Sequence, residues 1–252
     1  MSARAVNRLL SFLTPVVLLA IWESAARLGL IDTRFFSMPS AIFAEFVAML
    51  ESGELVMHTL ISLERIFIGF TIGVVIGLAL GLAIAMMPRV AAILKPLVDA
   101  TFPIPKVGLL PLVIILFGVG EGSKYAIIAI GVLYLILINT VAGVRQIERI
   151  YLDVGRNYHA GKLMMFTDVA FPGALPMIIA GMKISMGVSL ILIVTAESLA
   201  AKSGIGYLIW TQWQVFEVEK MYVGLFMAAI IGVCLNALLD WIERVVVPWR
   251  QP

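Results

Sequence analysis

An all-α membrane protein with six spanning helices is the fold class predicted by three features of this sequence. Hydrophobic residues make up 62% and charged residues 13% of its 252 residues. With a mean hydropathy of +1.05, that is more apolar surface than one soluble core hides. Windows of about 19 residues pick out six apolar stretches, near 9–28, 59–87, 90–117, 125–144, 175–199 and 222–246. Within the second, Gly69, Gly73, Gly77 and Gly81 recur every fourth residue in the charge-free run 66–87. Such a stripe of small residues lets another helix approach closely. Spans consume almost all the length, so residues 1–252 read as a single membrane domain.

The elements follow in order. Arg4 and Arg8 precede the first span, and Glu23 and Arg27 form an i,i+4 pair near its end. Its length and the lack of a clear small-x-small site make it a retained anchor, with a cleaved signal the alternative. Residues 39–50 are too short to span; Ile42, Phe43, Phe46, Val47 and Leu50 oppose Glu45 and Glu51, which predicts a helix at the interface. The second span carries Glu64 and Arg65 near its start. The third holds Pro96, Pro103, Pro105 and Pro111, which remove backbone donors and break a regular helix. A broken segment is tolerated at membrane depth only where protein or a water-filled cavity satisfies its carbonyls, so this one lines the interior. The fourth span is free of charge. A polar interval, 145–168, then carries Arg145, Glu148, Arg149, Asp153, Arg156, Lys162 and Asp168. Between the fifth and sixth spans, 200–220 reads as a loop bearing Trp210 and Trp213.

Basic residues set the orientation. An N-terminus inside puts Arg4, Arg8, Arg89, Lys95, Arg145, Arg149, Arg156, Lys162, Arg244 and Arg250 in the cytoplasm and Arg27, Arg34, Lys124, Lys202 and Lys220 outside, ten against five. Both termini are then cytoplasmic, as is the interval after the fourth span.

Several chemistries are absent from the sequence. It has no G-x-x-x-x-G-K-[ST] phosphate loop; the run Gly118-Val119-Gly120-Glu121-Gly122-Ser123-Lys124 has neither the spacing nor a cytoplasmic place. His58 and His159 fall on opposite sides of the membrane, Cys234 is a lone cysteine, and nothing has metal-ligand spacing. No nucleophile, base and oxyanion set is present. The expectation is a chain with no ATP, metal or catalytic site of its own, and the net charge of +2 gives no pointer to nucleic acid.

The polar interval carries a more specific pattern. Asp153-Val154-Gly155-Arg156-Asn157-Tyr158-His159-Ala160, followed by Phe166, Val169, Phe171-Pro172 and Leu175-Pro176, resembles the EAA loop of bacterial ABC-importer permeases. Asp153-Val154-Gly155 stands where that family has Glu-Ala-Ala, His159 where it has a turn glycine, and Phe171-Pro172 where it has Leu-Pro. Further stretches are similar to the nitrate/sulfonate/taurine-type permeases: Met38-Pro39-Ser40, Ser52-Gly53-Glu54-Leu55, Ser62-Leu63-Glu64-Arg65-Ile66 and Pro103-Ile104-Pro105-Lys106 with Leu110-Pro111-Leu112. So are Phe117-Gly118, Ala180-Gly181-Met182-Lys183, Ala196-Glu197 and Ser203-Gly204-Ile205-Gly206-Tyr207.

The resemblance implies a type I importer permease bundle in a bacterial inner membrane, working as a homodimer. Its implied partners are two cytoplasmic ATPase subunits, which hold ATP and Mg, and an external solute-binding protein. The implied cargo is a small anion such as a sulfonate, taurine or nitrate. A self-sufficient channel or secondary transporter is the alternative. The loop 145–174 is expected to hold a coupling helix, capped by Asp153 with Arg156 on its surface, that passes a rigid-body push to the spans. Its coupling residues are Asp153, Val154, Gly155, Arg156, His159 and Ala160; Gly155 and His159 depart from the family's letters, and a helical glycine costs about 1 kcal/mol relative to alanine. A solvated loop whose charges only enforce topology is the simpler alternative.

Burying an ion at the bilayer centre costs at least roughly 2.5–3.5 kcal/mol. Lys106, with Pro105 beside it, and Lys183 are therefore candidates for an anion path, and Glu197 for a gate or a partner to one of those lysines. Otherwise both lysines snorkel to the cytoplasmic boundary and Glu197 to the outer one.

Overall fold

The computed structural model describes residues 3–249. Arg250, and the side chains of Arg4, Arg8, Arg156 and Lys162, lie outside the described residues. Eleven α-helices occur among these residues, with no strand. They are α1 (Ala3–Arg27), α2 (Pro39–Glu51), α3 (Glu54–Met86), α4 (Pro88–Thr101), α5 (Leu110–Phe117), α6 (Glu121–Arg145), α7 (Arg149–Asn157), α8 (Lys162–Met164), α9 (Phe171–Ala200), α10 (Ile205–Gln214) and α11 (Val218–Val246). A π-turn, Met165–Ala170, joins α8 to α9, so a continuous 36-residue helix runs Met165–Ala200. Four helices are long and apolar enough to cross a bilayer: α3, α6, Met165–Ala200 and α11.

The glycine stripe explains the centre of the bundle. A Cβ on Gly69 would lie 2.7 Å from Ile128 Cβ, on Gly73 2.6 Å from Val132 Cβ, on Gly77 3.0 Å from Ile136 Cβ and on Gly81 2.7 Å from Thr140 Cβ. No side chain fits in that space, so α3 and α6 touch backbone to side chain along four turns. The facing residues advance by four in the same direction on both helices, so the pair is parallel. Two parallel helices in succession require a return pass between them, and α4 and α5 make it. On its other face α6 meets α9 antiparallel, with Gly143 against Met177 and Ala174, and Gly181 against Asn139. Ile128, Val132, Ile136, Leu192, Ile193 and Val223 form the interior.

The bundle has two ends, named here for a residue at each. At the Arg65 end are the starts of α3, α6 and α11 and the finish of α9. At the His159 end are α7, the start of α9 and, through Trp249, the tail of the chain beyond α11. α1 runs toward the Arg65 end, where Trp22 meets Tyr222 at 5.6 Å between ring centroids.

The third pass breaks as its prolines predict, into two helices separated at Phe102–Lys106 and by a 3-10 turn, Val107–Leu109. Pro103 and Pro105 make that break. Pro96 sits inside α4 without ending it, since it forfeits one backbone hydrogen bond in a 14-residue helix. The interval 200–220 is no loop: α10 occupies its middle and buries Ile205, Gly206 and Leu208. In α2 the apolar side chains divide, Ile42 and Met49 packing inward while Phe43 faces out.

Candidate coupling and translocation sites

At the Arg65 end the bundle closes around charge. Arg65 gives a two-pronged grip on Glu121, Nε to Oε2 at 2.6 Å and Nη2 to Oε1 at 2.7 Å. Its Nη1 donates to Glu197 Oε1 at 2.9 Å and to the Ser203 carbonyl at 2.7 Å. Glu197 is completely buried; it also accepts from Ser62 Oγ at 2.8 Å and from the Gly206 N–H at 2.8 Å. Ser62 Oγ takes the Ile205 N–H at 2.8 Å and His58 Nδ1 takes the Gly204 N–H at 3.0 Å. One helical face, His58, Ser62 and Arg65, therefore holds both α9 and the turn into α10. Gly204 has φ +110° and a Cβ there would overlap the Glu197 carboxyl, so the turn requires glycine.

This pairing corrects an expectation. Glu197 partners neither Lys106 nor Lys183 but Arg65, which sequence reasoning had left unassigned. Lys183 points to α11, where Asp240 and Glu243 receive its ammonium. Both carboxylates lie near the His159 end of α11. Two of the residues considered for an anion path thus already have internal counter-charges.

Lys106 differs. Its Nζ donates to the carbonyls of Phe102 at 2.7 Å, Ile104 at 2.9 Å and Thr101 at 3.3 Å. It sits 4.3 Å above the Tyr134 ring and 5.5 Å from the Phe102 ring. Tyr134 Oη bonds Thr101 Oγ1 at 2.8 Å, and Tyr134 lies midway along α6. The ammonium is therefore at half the height of the bundle, not snorkelled to either boundary. Among the described residues no carboxylate pairs with it.

At the His159 end, α7 projects beside the bundle. Asp153 is its fifth residue, in the middle of the helix, and so does not cap it as expected. Gly155 also lies within α7, where a Cβ would strike the Met165 sulfur of the π-turn; close packing onto that turn explains the glycine. The Ala160 N–H bonds the Gly155 carbonyl at 2.9 Å and His159 takes φ 53°. That is the helix stop usually made with glycine, and histidine tolerates this left-handed region better than most residues. Tyr151, Val154, Tyr158 and Trp249 line a groove of about 690 Å³. Tyr158 is 82% exposed and Leu163 76% exposed. Pro172 is the second residue of α9, directly after the π-turn.

A bundle of parallel and antiparallel spans crossed by a broken return pass, sealed at one end and carrying a short projecting helix at the other, is a transporter permease. Its fold matches the inward-facing methionine ABC transporter MetNI with a TM-score of 0.65 at 18% identity, covering 73% of this chain and 92% of that one. The chain belongs to the family of binding-protein-dependent transport system inner membrane components, whose profile matches residues 69–251. It is 34% identical over 243 residues to the putative aliphatic sulfonates transport permease protein SsuC of Escherichia coli (strain K12), covering 96% of this chain and 92% of the relative. It is 29% identical over 246 residues to the taurine transport system permease protein TauC of the same organism, covering 96% and 90%.

Proposed function

We propose that two copies of this chain form the membrane channel of an ATP-driven importer for a small anionic solute of the sulfonate or taurine class. Each copy crosses the bacterial inner membrane six times, α1 and the α4–α5 pair completing the four longer spans. The His159 end faces the cytoplasm, consistent with Arg89, Arg145, Arg149 and Arg244 at that end. Two separate ATPase subunits, holding ATP and Mg²⁺, dock there on α7 and the following turn; a solute-binding protein delivers cargo at the Arg65 end. The names of the relatives and the internal absence of a phosphate loop support this division of labour.

The observation that carries the reading is mechanical. The groove beside α7 is lined mainly by apolar and aromatic side chains, with Gln146, Glu148 and Asp168 among them, and the π-turn at its edge continues without a break in helix into a pass that reaches Glu197. A push at α7 is thereby delivered to a rigid rod whose far end is tied into the Arg65 network. Pulling down the tagged permease from cells, after cross-linking through cysteine at Tyr158 in a Cys234→Ser background, tests it. Capture of an ABC ATPase is the expected result. Labelling of that cysteine only by an impermeant reagent added to intact spheroplasts would place the surface outside and overturn the proposal.

A further inference from the structure

We infer that Lys106, with the Phe102, Ile104 and Val107 side chains around it, is an anion-recognition point halfway across the membrane, one that takes an oxyanion head carried on a short alkyl chain. This rests on the import reading above and assigns the cargo a contact within the permease itself.

Charge balance singles the site out. Arg65 has Glu121 and Glu197, Lys124 lies 3.7 Å from Glu121, and Lys183 has Asp240 and Glu243. Lys106 alone of these span cations is surrounded only by neutral acceptors among the described residues. Those acceptors lie in the break around Pro103 and Pro105; the Thr101 carbonyl also takes the Ile104 N–H at 3.2 Å, so only the Phe102 and Ile104 carbonyls call on the side chain for a donor. A positive charge is not needed for that purpose, because an amide side chain also donates. What the ammonium adds over a neutral donor is attraction for an anion, in a place where little water screens it.

Access and shape agree. The 3.3 Å bond to Thr101 is the longest of the three, so an incoming oxygen replaces it while the bonds to Phe102 and Ile104 hold the ammonium in place. Phe102 is 41%, Ile104 43% and Val107 43% exposed, an apolar surface against which an alkyl chain loses contact with water. The Tyr134 hydroxyl, now on Thr101, is a second donor within the same cluster.

The test uses the full-length permease purified with its ATPase subunits, as wild type and as Lys106→Met, Lys106→Gln and Lys106→Arg. Radiolabelled ethanesulfonate is measured for saturable binding to the solubilised complex and, with the solute-binding protein added, for uptake into proteoliposomes. The expected result is that Met and Gln lower binding and uptake by about tenfold or more while complexes assemble at normal yield, and that Arg stays within about threefold of wild type. Recovery by Gln would reduce Lys106 to a cap for carbonyls and overturn the inference. So would a Met variant within about twofold of wild type, failure of both neutral variants to assemble, which would mark an ion pair with another subunit, or no saturable binding by the wild type. Lys106-dependent binding without uptake by the wild type would leave the site standing and remove the import reading instead.

Discussion

The two ends of this bundle handle polarity in opposite ways. At the Arg65 end one arginine and the Glu197 carboxylate are enclosed, with Glu121 gripping the arginine from an exposed position, and the N–H groups of Gly204, Ile205 and Gly206 all end on side chains of α3 or α9. At the His159 end, apolar side chains of α7 and the turn after it stand exposed, Tyr158, Leu163 and Ile150 among them. A region that satisfies itself is built to hold the spans in register. One that leaves apolar surface uncovered outside the lipid-facing spans is built to meet another protein. The difference locates fixed structure at one end and exchange of force at the other, with the half-height break at Lys106 between them.

The sharpest way to break this contrast is at Glu197. Replacing it by alanine leaves Arg65 buried with Glu121 alone and frees the α10 turn, for an expected loss of about 3–5 kcal/mol. Thermal melting of the detergent-purified permease measures it. The Arg65→Met and Glu197→Met double substitution should be less damaging than either single one, because no uncompensated charge is left behind. Equal damage from all three would mean that the network does not act as a unit.

A smaller effect on stability and a larger one on assembly are expected at the other end. Val154→Asp puts a charge into the mainly apolar groove beside α7; melting should shift by no more than about 0.5 kcal/mol. ATPase association, read by co-purification or surface plasmon resonance, should fall at least about tenfold. If the variant instead unfolds the permease, the His159 end is core and the contrast fails. The smallest effect concerns His159. Glycine at this left-handed position removes a Cβ penalty, so His159→Gly should raise stability by up to about 1 kcal/mol, visible as a small rise in melting temperature.

Much of the framework was legible in the residues because it depends on local chemistry. Glycines four apart can serve only one face of a helix, and they do lie on one seam against α6. Prolines at 103 and 105 cannot donate, and the pass breaks there. What stayed hidden depends on contacts between distant positions. Arg65 and Glu197 are separated by 132 residues, and no spacing rule connects them, although the stretches around both carry the family resemblance and converge in space. The one available signal was His58, Ser62 and Arg65 on the face that continues into the glycine stripe. α10 was hidden for another reason: its tryptophans, glutamines and flanking glycines have the composition of an interfacial loop, while its helicity comes from burying Ile205 and Leu208 against the spans. The role of Gly155 was equally unreadable, since Met165 reaches it only after the chain turns at His159.

The most direct measurement of the central claim is solute movement by the reconstituted permease with its companions added one at a time. Proteoliposomes containing the permease alone should accumulate no ethanesulfonate, and accumulation should appear only when ATPase subunits, ATP and the solute-binding protein are all present. Full accumulation by the permease without an ATPase would contradict the account.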